Sequence, residues 1–141
     1  ERQRWLGYVM AQSAGGVLGS ALVYLALGPG ELAPTTVADG VPMFSAVVIE
    51  VGITAALMAS ILAVVAWRED STATVAVVVG ATVALLAFVF GPLTGASMNP
   101  ARTLGPNLLS GAGGLLVYAL ATMAGAVLVA AVVRRRNGTV P

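Results

Sequence analysis

Few residues in this chain carry chemical capacity, and two places concentrate it. The segment GPLTGASMNPARTLGP, Gly91 to Pro106, sets Asn99, Pro100 and Arg102 between two long apolar runs. Glu50 stands inside another apolar run. Asparagine is a good helix N-cap and proline is favoured at the first helical position, so Asn99-Pro100-Ala101 reads as the start of a short helix. Arg102 follows Asn99 by three residues, about one turn, so both side chains can face one space. A helix N-terminus carries partial positive charge and free N–H donors. Beside an arginine, such an end repels cations and hydronium while offering donors to a neutral polar solute. The same spacing also suits an ordinary capped turn with a surface arginine.

Other chemistries lack their residues. The chain has no His and no Cys, which removes the commonest acid/base group and metal ligand as well as any thiolate or disulfide. No paired carboxylates fall on one intramembrane face. The chain therefore reads as no enzyme, with no cofactor and no metal. A net charge of +1 is too small to suggest nucleic acid as a partner. Of the 141 residues, 58% are hydrophobic and 9% charged, and mean hydropathy is +0.94. Soluble domains carry about 25% charged residues, so the partner implied here is the lipid bilayer.

The elements that must position Asn99, Arg102 and Glu50 follow from four apolar runs, at about Trp5–Leu27, Met43–Ala66, Thr74–Phe90 and Leu115–Val133. A spanning helix needs roughly 20 apolar residues, so an all-α membrane protein with four crossings is predicted. Gly28, Pro29, Gly30, Pro34, Gly40 and Pro42 break the chain after the first run. WREDST, from Trp67 to Thr72, makes a short polar turn in which Ser71 or Thr72 can cap the third helix. Arg2, Arg4, Arg68, Arg134, Arg135 and Arg136 place both chain ends and the middle loop on the cytoplasmic side. Arg102 is the arginine that this rule does not explain. Every basic residue is arginine, which fits a GC-rich genome and a bacterial plasma membrane.

Small residues recur at four-residue spacing in each run: Gly15 with Gly19, Gly52 with Ala56 and Ser60, Ala76 with Gly80 and Ala84, Ala121 with Gly125. Such stripes let helices approach closely in lipid, and Ala-rich helices also produce them by chance. The stretch between the third and fourth runs is too short to cross twice and too apolar for a simple water-exposed loop. A re-entrant half-helix fits, since irregular backbone at membrane depth must be buried in protein or line a wet cavity.

GPLTGASMNPARTLGP closely resembles the second NPA signature of the aquaporin and glycerol-facilitator (major intrinsic protein) family. GYVMAQSAGGVLGSAL resembles that family's third helix, VIEVGITAALMASILAV its fourth, with a buried Glu, and GLLVYALATMAGAVLVAA its sixth. The resemblance implies that residues 1–141 are a single partial domain of an inverted-repeat fold, with the first two helices and the first NPA half-helix absent. It implies that Asn99 donates to a passing solute, with Pro100 and Ala101 completing the pore motif. Arg102 corresponds to the selectivity-filter arginine. Ala96, six residues earlier, and Ala87, by gapless counting on the fifth helix, correspond to two further filter positions; the fourth lies on the missing part. Water-selective members tend to carry His at the fifth-helix position. Ala87 and Ala96 instead imply a wider opening that passes glycerol-like solutes, unless a bulky residue on the missing helix closes it. The GASMNPAR form is also similar to the branch that passes metalloid acids such as boric acid.

Intramembrane carboxylates are functional or structurally paired. On a helix Glu50 shares a face with Ala46 and Thr54. The resemblance implies that Glu50 accepts hydrogen bonds from the loop at about Leu93 to Met98; a proton-relay carboxylate is the alternative. One departure is Thr122, where the family often has Pro. The resemblance thus implies a passive channel for water and small uncharged solutes such as glycerol, closed to ions and protons, in a homotetramer of the full-length parent. A secondary-transporter half and a non-conducting fragment are the competing readings.

Overall fold

The structure, a computed structural model, describes the backbone of residues 2–67 and 71–137 and the side chains of residues 4–67 and 71–135. The arginine expected in the middle loop lies outside the described residues, as do the side chains of Arg2 and Arg136. The described residues form five α-helices and no strand: α1 (Arg2–Leu27), α2 (Met43–Trp67), α3 (Thr72–Thr94), α4 (Pro100–Ser110) and α5 (Leu115–Asn137). A single 3-10 turn, Pro29–Glu31, follows α1. Helices α1, α2, α3 and α5 are each long and apolar enough to cross a membrane, and α4, with 11 residues, is not.

Local chemistry explains the boundaries. Ser71 accepts a hydrogen bond from the Thr74 N–H at 3.3 Å and caps α3. At the other end α3 runs past Gly91-Pro92 to Thr94, beyond the expected stop at Phe90. Proline removes one donor without forbidding the turns that follow it, and the helix ends where Gly95 takes a left-handed φ of 76°. The Gly95 N–H closes that last turn on the Gly91 carbonyl at 2.8 Å. In α5 the Thr122 hydroxyl donates to the Tyr118 carbonyl at 2.8 Å, and the helix continues without a break.

Helix α2 packs between α3 and α5, while the half-length α4 packs on α1 and α5. Two of these contacts depend on missing Cβ atoms. A Cβ on Gly16 would overlap the Ala101 carbonyl, and one on Gly105 would overlap the Gly16 carbonyl and the Ser20 hydroxyl. Helices α1 and α4 therefore meet backbone to backbone. Gly125 plays the same part for α5 against the Val51 carbonyl of α2. The stripe residues Gly15, Gly19, Gly52 and Gly80 have open space where a Cβ would stand. Four-residue spacing thus marked Gly125 and missed Gly16 and Gly105, because close approach depends on which face meets a neighbour.

Candidate functional site

The loop from Gly95 to Asn99 enters α4, and its backbone is irregular. Ala96 and Met98 have positive φ, at 43° and 54°, which costs an L-residue on the order of 1 kcal/mol each. Side chains hold the loop in this shape by taking its N–H groups. The Ala96 N–H donates to the Thr94 hydroxyl at 3.3 Å. The Ser97 N–H donates to Glu50 Oε1 at 2.9 Å and the Met98 N–H to Glu50 Oε2 at 3.2 Å. The Thr94 hydroxyl donates to Glu50 Oε1 at 2.7 Å. Glu50 is 1% exposed and acts only as an acceptor here. Its neighbours on the same helix face, Ala46 and Thr54, are buried as well. An apolar medium offers no water to such N–H groups, so the acceptors must come from the protein.

Asn99 sits at the start of α4 with extended backbone, and its Oδ1 accepts from the Ala101 N–H at 2.9 Å. Pro100 occupies the first helical position. The remaining Asn99 group, Nδ2, donates to Gln12 Oε1 of α1 at 3.4 Å, and Asn99 is exposed. Arg102, one turn along, borders an open cavity of about 300 Å³ lined by α1, the 3-10 turn and α4, with Gly15, Gly19, Val23 and Glu31 among its walls. The guanidinium makes no hydrogen bond or ion pair with the described residues. Its N–H donors are therefore not committed to a described acceptor.

Ala96 and Ala87 stand elsewhere. The Ala96 side chain is 2% exposed and packs with Ile53 and Met98 against Ile49, Leu57, Leu86 and Phe90. Ala87 lies on an exposed part of α3. Neither borders the Arg102 cavity.

A second polar chain escaped the sequence reading. The Ser97 and Thr103 hydroxyls are 2.6 Å apart, and the Thr35 hydroxyl donates to Thr103 Oγ1 at 2.8 Å. Asn107 Oδ1 accepts from the Thr35 N–H at 2.9 Å, while its Nδ2 donates to the Thr35 and Gly113 carbonyls at 2.8 and 2.9 Å. Thr35, Thr103 and Asn107 are all buried. The Tyr118 hydroxyl of α5 donates to the Thr94 carbonyl at 2.7 Å, which fastens the end of α3. Gln12 and Asn107 did leave a signal, since each is an amide within an apolar stretch and needs a partner there.

A sequence model of the major intrinsic protein family matches residues 1–134. The chain is 38% identical over 122 residues to Aquaporin NIP1-1 of Zea mays, covering 85% of this chain and 43% of that protein. It is 37% identical over 122 residues to Nodulin-26 of Glycine max, covering 85% and 45%. Aquaporin-4 of Mus musculus is 35% identical over 108 residues, covering 74% and 33%. The chain thus spans less than half the length of these curated relatives.

Proposed function

Because the chain belongs to the major intrinsic protein family, we propose that it supplies the Asn99-bearing part of a passive membrane channel for water and small uncharged solutes, glycerol among them. In this reading its long helices are the third to sixth of the family fold. The first two helices and a second half-helix complete the passage. The parent is a homotetramer in a bacterial plasma membrane, with both ends of this chain cytoplasmic.

The observation that carries the reading is the pairing of Asn99 and Arg102 at the start of α4, the first on a loop held by Glu50 and the second on an open cavity. A water or hydroxyl oxygen accepts from Asn99 Nδ2 and from the guanidinium in turn. Asn99 is held by Ala101 and Gln12 before the solute arrives, so little reorganisation opposes its part in passage. The Arg102 charge together with the positive end of α4 disfavours cations and hydronium. Neither Ala87 nor Ala96 reaches the space beside Arg102, and the open cavity of about 300 Å³ there favours glycerol over a water-only filter.

Stopped-flow light scattering on liposomes tests this, first under a sucrose gradient and then under a glycerol gradient. The complete channel should shrink vesicles faster than empty liposomes do and then re-swell them with glycerol. Fast shrinkage without re-swelling would refute glycerol passage. Shrinkage at the empty-liposome rate would refute the channel. The 141-residue chain alone, with Asn99 and Arg102 exposed and unfaced, should give no flux unless copies pair.

A further inference from the structure

Among the residues bordering the Arg102 cavity, Ser20, Glu31 and Arg102 carry polar side-chain atoms. The Ser20 hydroxyl is already committed to the Gly16 carbonyl at 2.8 Å. Two free groups remain, and they are chemical opposites. A guanidinium only donates hydrogen bonds, and a carboxylate only accepts them. Neither side chain bonds to the other or to any described residue.

Glu31 does not hang on a loose loop. Its 3-10 turn starts on Pro29, whose ring fixes φ, and the Glu31 N–H bonds the Gly28 carbonyl at 3.3 Å. The next residue, Leu32, is 4% exposed. Three residues further on, Asn107 holds both the N–H and the carbonyl of Thr35. The backbone turn that carries Glu31 is thus tied, through Thr35, to the same half-helix that carries Arg102.

We propose that Glu31 is a specificity-determining residue of the passage: with Arg102 it offers one solute both an acceptor and a donor across the shared cavity, which selects neutral molecules carrying N–H or O–H groups beside an oxygen, such as amides and polyols. This rests on the channel reading and deepens it. Arg102 alone would leave the cavity net positive and attractive to small anions. The Glu31 carboxylate, on the wall of the same cavity, supplies charge of the opposite sign.

The test uses the complete channel in liposomes, with urea as the probe and water flux as the reference. Glu31→Leu removes charge and acceptor together, and Glu31→Gln removes the charge while keeping an acceptor oxygen. Glu31 is exposed, so both variants should fold with a thermal midpoint near the parent's. The ratio of urea to water permeability should fall roughly threefold or more in Glu31→Leu, and by less in Glu31→Gln. An unchanged ratio, whether or not both fluxes fall together, would overturn the assignment and leave the channel standing. Water flux no faster than empty liposomes in the unsubstituted protein would overturn the channel reading and this assignment with it.

Discussion

Asn107 holds the backbone of Thr35 from both sides, accepting from its N–H at 2.9 Å and donating to its carbonyl at 2.8 Å. The two residues are 72 positions apart. One belongs to the loop after α1 and the other to the half-helix, so a single amide joins the loop that carries Glu31 to the helix that carries Arg102. An asparagine can serve both needs because its side chain has a donor end and an acceptor end, like the peptide group it faces.

Asn107→Leu should therefore destabilise strongly. It strands the Thr35 N–H, the Thr35 carbonyl and the Gly113 carbonyl, and each buried group left unpaired costs about 1–3 kcal/mol. A loss of about 3 kcal/mol or more is expected, read as a lower thermal midpoint of the detergent-solubilised protein. Asn107→Asp keeps the acceptor and loses the donors, so its midpoint should fall between the two. An unshifted midpoint in Asn107→Leu would show that the joint contributes nothing.

Glu50→Gln should lower stability more than it alters selectivity. Glutamine keeps one acceptor oxygen and turns the other into a donor that faces an N–H. Of the Thr94, Ser97 and Met98 donors, at least one loses its partner. A cost of about 1–3 kcal/mol is expected. Thermal unfolding and the glycerol-to-water permeability ratio, measured on the same variant, separate the effects. A large change in ratio at unchanged stability would assign Glu50 a direct part in conduction.

Gly16→Ala and Gly15→Ala should behave differently despite their adjacency. A methyl at Gly16 runs into the Ala101 carbonyl, and one at Gly15 meets open space. Overpacking of this kind costs about 1–3 kcal/mol. Gly16→Ala should lower the yield of folded protein, and Gly15→Ala should match the parent. Equal yields would mean that α1 and α4 separate without penalty.

How much of this was readable from the sequence differs by element. The four long helices were legible because lipid demands continuous apolar runs, and such runs declare themselves without knowledge of neighbours. The start of α4 was legible because Asn99 and Pro100 act locally, within one turn. The support of Glu50 for the loop came from likeness to a family, since no local rule says which N–H groups a buried carboxyl will meet. The Thr35–Asn107 joint, the Tyr118 contact and the Gly16–Gly105 approach were not legible. Each depends on how distant helices dock: an amide in an apolar stretch asks for a partner, and nothing local to Asn107 names Thr35 as that partner. The α3 boundary was misplaced because Pro92 reads as a stop, whereas Gly95 is where the backbone turns.

In the proposed channel, solutes pass through the space beside Arg102. These 141 residues hold no Cys, and the unsubstituted protein controls for any thiol elsewhere in the complete channel. Gly19 borders that cavity, and an added Cβ there meets no atom within 4 Å. Gly80 on α3 is equally open and does not border it. Water flux through liposomes carrying the complete channel should be measured before and after a mercurial reagent. Block in Gly19→Cys, with Gly80→Cys and the unsubstituted protein unaffected, is the predicted result. Complete labelling of Gly19→Cys without loss of flux would place the passage elsewhere.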